Sequence, residues 1–373
     1  EDILKNKLIL PYKAAVEAGV QTVMVSYNSV NGLNCHENNY LITDLLKGEL
    51  GFDGIVISDY NGVGHCMGYE YKDQLAHCVN AGVDMLMEPL NWKECYDTLL
   101  DLVKDKKVKE DRINDAVTRI LRVKFRAGLF EKEINGADEQ KYMSEIGSEE
   151  HRAVARQAVR ESLTLLKNDK VGDKTAMKAL SDAKKIAVVG LKGNNIGAQC
   201  GGWTISWTGS TGQITKGTTI LEGFREVATD KEFTYAVDTS EIDESTEGVV
   251  VVVGENPYSE TQGDTDEAGL ALKPADIALI EKAHGAVGEN VPVVVILVTG
   301  RPLSVTDQLE KIDGLVCAWL PGSEGAGIAD VLFGEYDFTG HTSVTWPKYG
   351  SDIVNKFDDE SVVQFKCGTG LTK

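Results

Sequence analysis

GIVISD, residues Gly54–Asp59, is the stretch on which the reading of this chain turns. An apolar run this short, entering a serine and then a carboxylate, reads as a strand buried on both faces. TVMVSY (Thr22–Tyr27) upstream has the same character, and VDMLM (Val83–Met87) repeats it downstream. Between the first two, Asn38–Glu49 places Leu41, Ile42, Leu45 and Leu46 at helical spacing. Asp111–Phe125 carries Ile113, Ala116, Val117, Ile120, Leu121 and Phe125 on one face, with Asp111 positioned as its N-cap. Buried strands that alternate with amphipathic helices predict a parallel sheet covered by helices, the α/β class.

After Gly128 the periodicity lapses into LFEKEINGADEQ, so 129–147 is read as a linker dividing a first domain, 1–128, from a second, 148–373. The second series predicts a helix over Glu149–Leu165 and strands at Ile186–Gly190, Val249–Gly254, Val293–Thr299, Gly314–Trp319 and Thr342–Trp346. Helices are expected at Thr218–Val227, Ala275–His284 and Gly322–Leu332. The first domain supplies only three strands, too few for an independent parallel sheet. The expectation is therefore that its N-terminal part lies outside this chain, either lost or, as the open sheet edges favour, on a companion polypeptide that covers them.

Composition narrows the function classes. Of 373 residues, 38 are Lys or Arg and 58 are Asp or Glu, a net charge of −20 that repels nucleic acid and anionic membrane surfaces. No apolar run reaches the length of a membrane span. The 7 cysteines include no C-x-x-C, and none of the 6 histidines has metal-binding spacing, so neither a metal site nor a disulfide framework is expected. IAVVGLKGNNIG (Ile186–Gly197) follows a strand with glycines, but its spacing is not G-x-G-x-x-G. A tight turn explains those glycines, and no cofactor is called for.

Candidate chemistry gathers where strands end, because parallel α/β folds place their sites at carboxyl strand ends. Tyr27 and Asn28 end the first strand, Asp59 and Tyr60 the second, and Glu88 follows the third. Asp59 reads either as a catalytic carboxylate or as a structural Asp closing the turn. In the second domain, CGGWTISWTGSTG (Cys200–Gly212) displays Trp203 and Trp207 among Gly, Ser and Thr. The indoles either stack on the apolar face of a sugar ring or pack as core beneath a long loop. GENPYSETQGD (Gly254–Asp264) leaves a strand carrying Glu255, Glu260 and Asp264, and His65 is the one histidine near Asp59 in sequence.

Together, VMVSYNSVNG, LLKGELGFDGIVISDY, DAVTRILRVKFRAGLF, AVRESLTLLKN, QCGGWTISWTGSTG, VVVVGENPYSETQGD, TGRP and AWLPGSEGAGIADVLFGEYDFTG resemble glycoside hydrolase family 3, in its exo-β-glucanase/β-glucosidase branch. The resemblance implies that the first domain is the last part of a (β/α)8 barrel and the second an (αβ)6 sandwich, with the active site between them. It implies a retaining exo-acting enzyme that releases glucose from the non-reducing ends of β-glucans or β-gluco-oligosaccharides without a cofactor. The family's nucleophile falls on Asp59 and its acid/base on Glu260, the latter kept protonated by burial or by carboxylates such as Glu255 and Asp264. Tyr27 and Met87 match residues lining the glucose subsite, and Trp207 matches one wall of an aromatic clamp, with Trp203 as a further substrate-binding residue on the same loop. Two positions depart from the branch: Tyr60 stands where the opposite Trp wall is expected, and His65 stands for an Arg. The rival readings are a β-xylosidase or broad-specificity glycosidase on the same scaffold, and an inactive carbohydrate-binding relative. An N-acetylglucosaminidase is disfavoured by the second domain.

Overall fold

The computed structural model of the protein describes residues 3–68, 70–131, 142–352 and 359–373. The chain divides into two compact units, Glu1–Asp138 and Glu139–Lys373. Residues 132–141 of the expected linker lie outside the described residues.

In the first unit, β1 (Thr22–Met24) and β2 (Ile55–Ile57) pair in parallel with Thr22 opposite Ile55. The expected third strand, Val83–Met87, is reduced to one parallel bridge between Ile57 and Met85. The cause is Asp84, whose carboxylate accepts the Val56 N–H at 2.9 Å where a strand carbonyl would otherwise stand. Helix Tyr40–Glu49 is wound in wide π-type turns and buries Ile42, Leu45 and Leu46. Helix Glu110–Arg126 starts ahead of Asp111; Lys109 is its N-cap and Asp111 lies in the first turn, where a carboxylate favours the positive end of the helix dipole. Val56, Ile42, Leu46, Phe52, Val63, Leu75, Val79 and Leu102 form the apolar centre.

Asp84 also holds that centre electrostatically. Its fully buried carboxylate accepts from Lys47 Nζ at 2.7 Å and pairs with Arg112, which pairs in turn with Asp115. Burial outweighs the carboxylate's pull at Lys47 and draws its ammonium down to about 8. Such a network adds little net stability, yet removing its one fully buried anion leaves Lys47 and Arg112 only the half-exposed Asp115 as an ionic partner. Asp84→Ala is expected to lower unfolding stability by about 3–5 kcal/mol in urea denaturation, with Asp84→Asn losing less.

The second unit is built on a six-stranded sheet. Its strands are β3 (Thr164–Asn168), β4 (Lys185–Val189), β5 (Glu232–Ala236), β6 (Gly248–Gly254), β7 (Val293–Val298) and β8 (Gly314–Trp319), in the order β3-β8-β7-β6-β4-β5. All neighbours are parallel except β3, which runs antiparallel along the edge of β8. Every residue of β6 and β7 is buried, with helices packed on both faces.

Three expectations are corrected here. The helix from Glu149 ends at Ser162, and the chain continues as β3. β5 was not expected at all. Thr342–Trp346 forms no strand of the sheet: the backbone of Thr342 bonds Thr369 and Gly368, and only Trp346–Pro347 pairs, with Val363–Phe365. What the apolar alternation there secures is the buried Trp346, whose indole N–H donates to the Leu303 carbonyl at 2.7 Å.

Candidate active site

Asp59 leaves the carboxyl end of β2 half-buried. Its carboxylate accepts the Tyr60 N–H at 2.7 Å, and its carbonyl accepts from Gly62 N at 3.0 Å and from Ser58 Oγ at 2.9 Å. Ser58 Oγ in turn accepts the Met87 N–H at 2.7 Å, so the segment that carries Met87 is tied to the backbone of Asp59. Tyr27, in the segment that follows β1, packs edge-on against His65 with ring centroids 4.7 Å apart. Tyr60 and His65 are exposed, and Met87 is half-buried. The structure thus gathers Tyr27, Asp59, Tyr60, His65 and Met87 around one strand end. Glu88 is not part of this open group: it is buried, and burial pushes its carboxyl above the usual carboxylate range.

In the second unit the chain crosses from β4 to β5 on one side and then to β6 on the other. The point between β4 and β6 is therefore the switch point, where crevices open at carboxyl strand ends. Both candidate loops grow from it. The first follows β4 through helix Ile196–Cys200, whose cap Asn195 is buried and accepts from Ala198 N at 3.0 Å and from Gly212 N at 2.7 Å. One side chain therefore closes both ends of the tryptophan loop. Trp203 is 69% and Trp207 45% exposed, so the alternative that both indoles pack as core does not hold. Trp203 and Ile205 have φ of 60° and 64°, a left-handed backbone that is costly for a β-branched residue.

The second loop follows β6 and carries Glu260, exposed and at φ 48° at the start of a short 3-10 turn. The buried Ser259 beside it donates its hydroxyl to the Trp207 carbonyl, which also accepts the Trp203 N–H at 3.0 Å. Glu260 and the tryptophans thus share one fused loop pair. The close approach requires glycines: a Cβ on Gly202 would lie 2.1 Å from the Tyr258 carbonyl oxygen, and one on Gly209 2.3 Å from that of Gly201.

Glu255 stands apart from the role suggested for it beside Glu260. It pairs with Arg301 at 3.0 Å and accepts from Thr299 Oγ1 at 2.8 Å and Tyr258 OH at 3.0 Å, while Arg301 stacks on the Tyr258 ring and donates to the Gly263 carbonyl. Glu255 is a brace for the loop, and Asp264 is exposed on it. Sequence reasoning also missed Asn195, Ser259 and His36, the last of which touches the backbone of Asp59. Ser259 could have been found from its place next to Glu260; nothing in CHENN marks His36.

Among the described residues no cluster of His, Cys, Asp or Glu could hold a metal ion, and no helix is long and apolar enough to cross a membrane.

The chain matches the glycosyl hydrolase family 3 N terminal domain over residues 1–123 and the glycosyl hydrolase family 3 C-terminal domain over residues 163–373. It is similar to the lysosomal beta glucosidase of Dictyostelium discoideum, 29% identical over 100% of this chain and 48% of that protein. It is also similar to a beta-xylosidase of Formosa agariphila, 30% identical over 92% of this chain and 50% of that one. Among solved structures it resembles the exo-1,3/1,4-beta-glucanase of a Pseudoalteromonas species, 38% identical with a TM-score of 0.87 over 97% of this chain and 59% of that chain. The chain spans about half the length of the curated relatives it matches. Nothing in these comparisons supports a companion polypeptide.

Proposed function

From the premise that this chain belongs to glycosyl hydrolase family 3, we propose that it serves a retaining, exo-acting β-glucosidase or exo-β-glucanase. In this reading residues 1–128 contribute the last strands of a (β/α)8 barrel and 148–373 an (αβ)6 sandwich. The Asp59 carboxylate attacks the anomeric carbon of a terminal β-glucosyl unit while Glu260 gives its proton to the departing oxygen. Glu260 then takes a proton from water, which displaces Asp59 and releases β-glucose. Retention calls for the two carboxylates to stand about 5–5.5 Å apart across the bound sugar. Tyr27 and Met87 line the glucose subsite, and Trp203, Trp207, Tyr60 and His65 meet the next sugar.

The observation that carries this reading is the placement of Asp59: a half-buried carboxylate at the end of a buried parallel strand, with Tyr27, His65 and Met87 gathered about it. A decayed binding protein has no need to keep that carboxylate anchored. The test is to trap the protein with 2-deoxy-2-fluoro-β-glucosyl fluoride, map the labelled peptide, and follow the first-formed anomer by NMR. An ester on Asp59 and β-glucose first are expected. An α-anomer first would exclude retention, and an ester elsewhere would remove Asp59.

A β-xylosidase is the second reading, favoured by the Formosa agariphila relative. Rates on matched aryl glucoside and xyloside decide between them. Trp207→Ala is expected to raise KM for gluco-disaccharides by about 5-fold or more and to change KM for an aryl glucoside little, since stacking on the next sugar is worth about 1 kcal/mol or more.

A further inference from the structure

We propose that His36 is a positioning residue for the reaction assigned above: its imidazole accepts the backbone N–H of Asp59 and thereby fixes where that carboxylate stands. The proposal rests on the reading of Asp59 as nucleophile. His36 is fully buried, and its Nε2 lies 3.0 Å from Asp59 N. An N–H can only donate, so Nε2 carries no proton and the ring proton sits on Nδ1. That nitrogen faces Asn34 Oδ1 at 3.2 Å, an oxygen already oriented by the His36 N–H at 2.9 Å. Asn34 thus selects the tautomer, and the tautomer selects the bond to Asp59.

The bond fills a specific gap in the sheet. Ile55 N donates to the Gln21 carbonyl and Val25 N to the Ile57 carbonyl, so alternate residues of this segment face the β1 side. Asp59 is the next residue in that alternation, but β1 ends at Met24, and the acceptor at Asp59 is a side chain brought from the turn Cys35–Glu37. Gly62 closes the other side of the ring: a Cβ there would come within 2.3 Å of His36 Nε2. The ring is therefore clamped between a glycine and the residue it holds. Burial lowers the imidazole's proton affinity and keeps it in the neutral form that this bond needs; Asp59 opposes and His65 adds to that effect.

A nucleophile displaced by about 1 Å loses on the order of 100-fold in rate without losing substrate affinity. The experiment compares, in the protein as its source makes it, the rate of trapping by 2-deoxy-2-fluoro-β-glucosyl fluoride and the inhibition constant of glucose. His36→Leu, which has no acceptor, is expected to trap about 10- to 100-fold more slowly with glucose binding unchanged. His36→Gln, whose amide oxygen reaches the same N–H, should recover most of the rate. Unchanged trapping in a folded His36→Leu protein overturns the proposal, as does parallel loss of trapping and glucose binding. If circular dichroism shows His36→Leu unfolded, His36→Gln is set against the shorter His36→Asn: faster trapping by Gln supports the bond, and equal rates overturn it. An ester mapped elsewhere than Asp59 in the unsubstituted protein is a separate result, and sinks the nucleophile reading itself.

Discussion

Asp59→Asn is expected to cut turnover of an aryl β-glucoside by about 10⁴-fold or more while the unfolding midpoint stays nearly unchanged. Two features of the site set these opposite outcomes. The carboxylate is half-buried at a strand end, and the amide oxygen of Asn can still accept the Tyr60 N–H, so packing and the local turn survive. What is lost is the charge that the proposed mechanism brings to the anomeric carbon. The smaller Asp59→Gly opens room for an external nucleophile, so azide added to that variant should return activity as α-glucosyl azide. Azide product of the β configuration, or an Asp59→Asn protein with ordinary turnover, would place the attack on another group.

Glu260→Gln is expected to lose about 10²–10⁴-fold on alkyl glucosides and gluco-disaccharides, whose leaving oxygen must be protonated. On a dinitrophenyl glucoside the first step needs no proton and should proceed almost normally. The second step still lacks its base, so a burst of dinitrophenol followed by slow turnover is the specific expectation, and azide should abolish the slow phase. A uniform loss across all leaving groups would mean that Glu260 serves the loop rather than the proton. Its exposed position and left-handed backbone make the distinction worth measuring, since the loop already has a separate brace in Glu255 and Arg301.

The parts of the fold that could be read from sequence are those whose burial is symmetrical. β6 and β7 are covered on both faces, so GVVVVVG and VVVILV appear as unbroken apolar runs. β3 could not be separated from the preceding helix, because Leu163, Leu165 and Leu166 continue the helix's apolar spacing into the edge strand. β5, EFTYA, is short, half-buried and peripheral, and its composition says little. VDMLM looks like a strand, yet Asp84 within it turns back to the Val56 N–H, a tertiary effect with no local signature. The same division runs through the site. Asp59 announces itself by ending an apolar run, whereas Asn195 and Ser259 matter through what their side chains reach across the fold. His36 acts on a residue 23 positions away, a distance over which no spacing rule operates.

The fusion of the tryptophan loop to the Glu260 loop has a consequence for anyone redesigning this protein. Ser259 bridges to the Trp207 carbonyl, Gly202 lies against the Tyr258 backbone, and Gly209 against Pro257, so neither loop has a conformation independent of the other. A graft that imports a relative's tryptophan loop alone will carry a foreign surface into contact with the native Glu260 segment and shift Glu260 along with Trp203 and Trp207. Libraries aimed at new linkage preferences should therefore treat Cys200–Gly212 and Gly254–Asp264 as one exchangeable cassette, moved whole. Random variation is best confined to Ile205 and Trp203, whose exposed side chains can change without unsettling the seam between the loops.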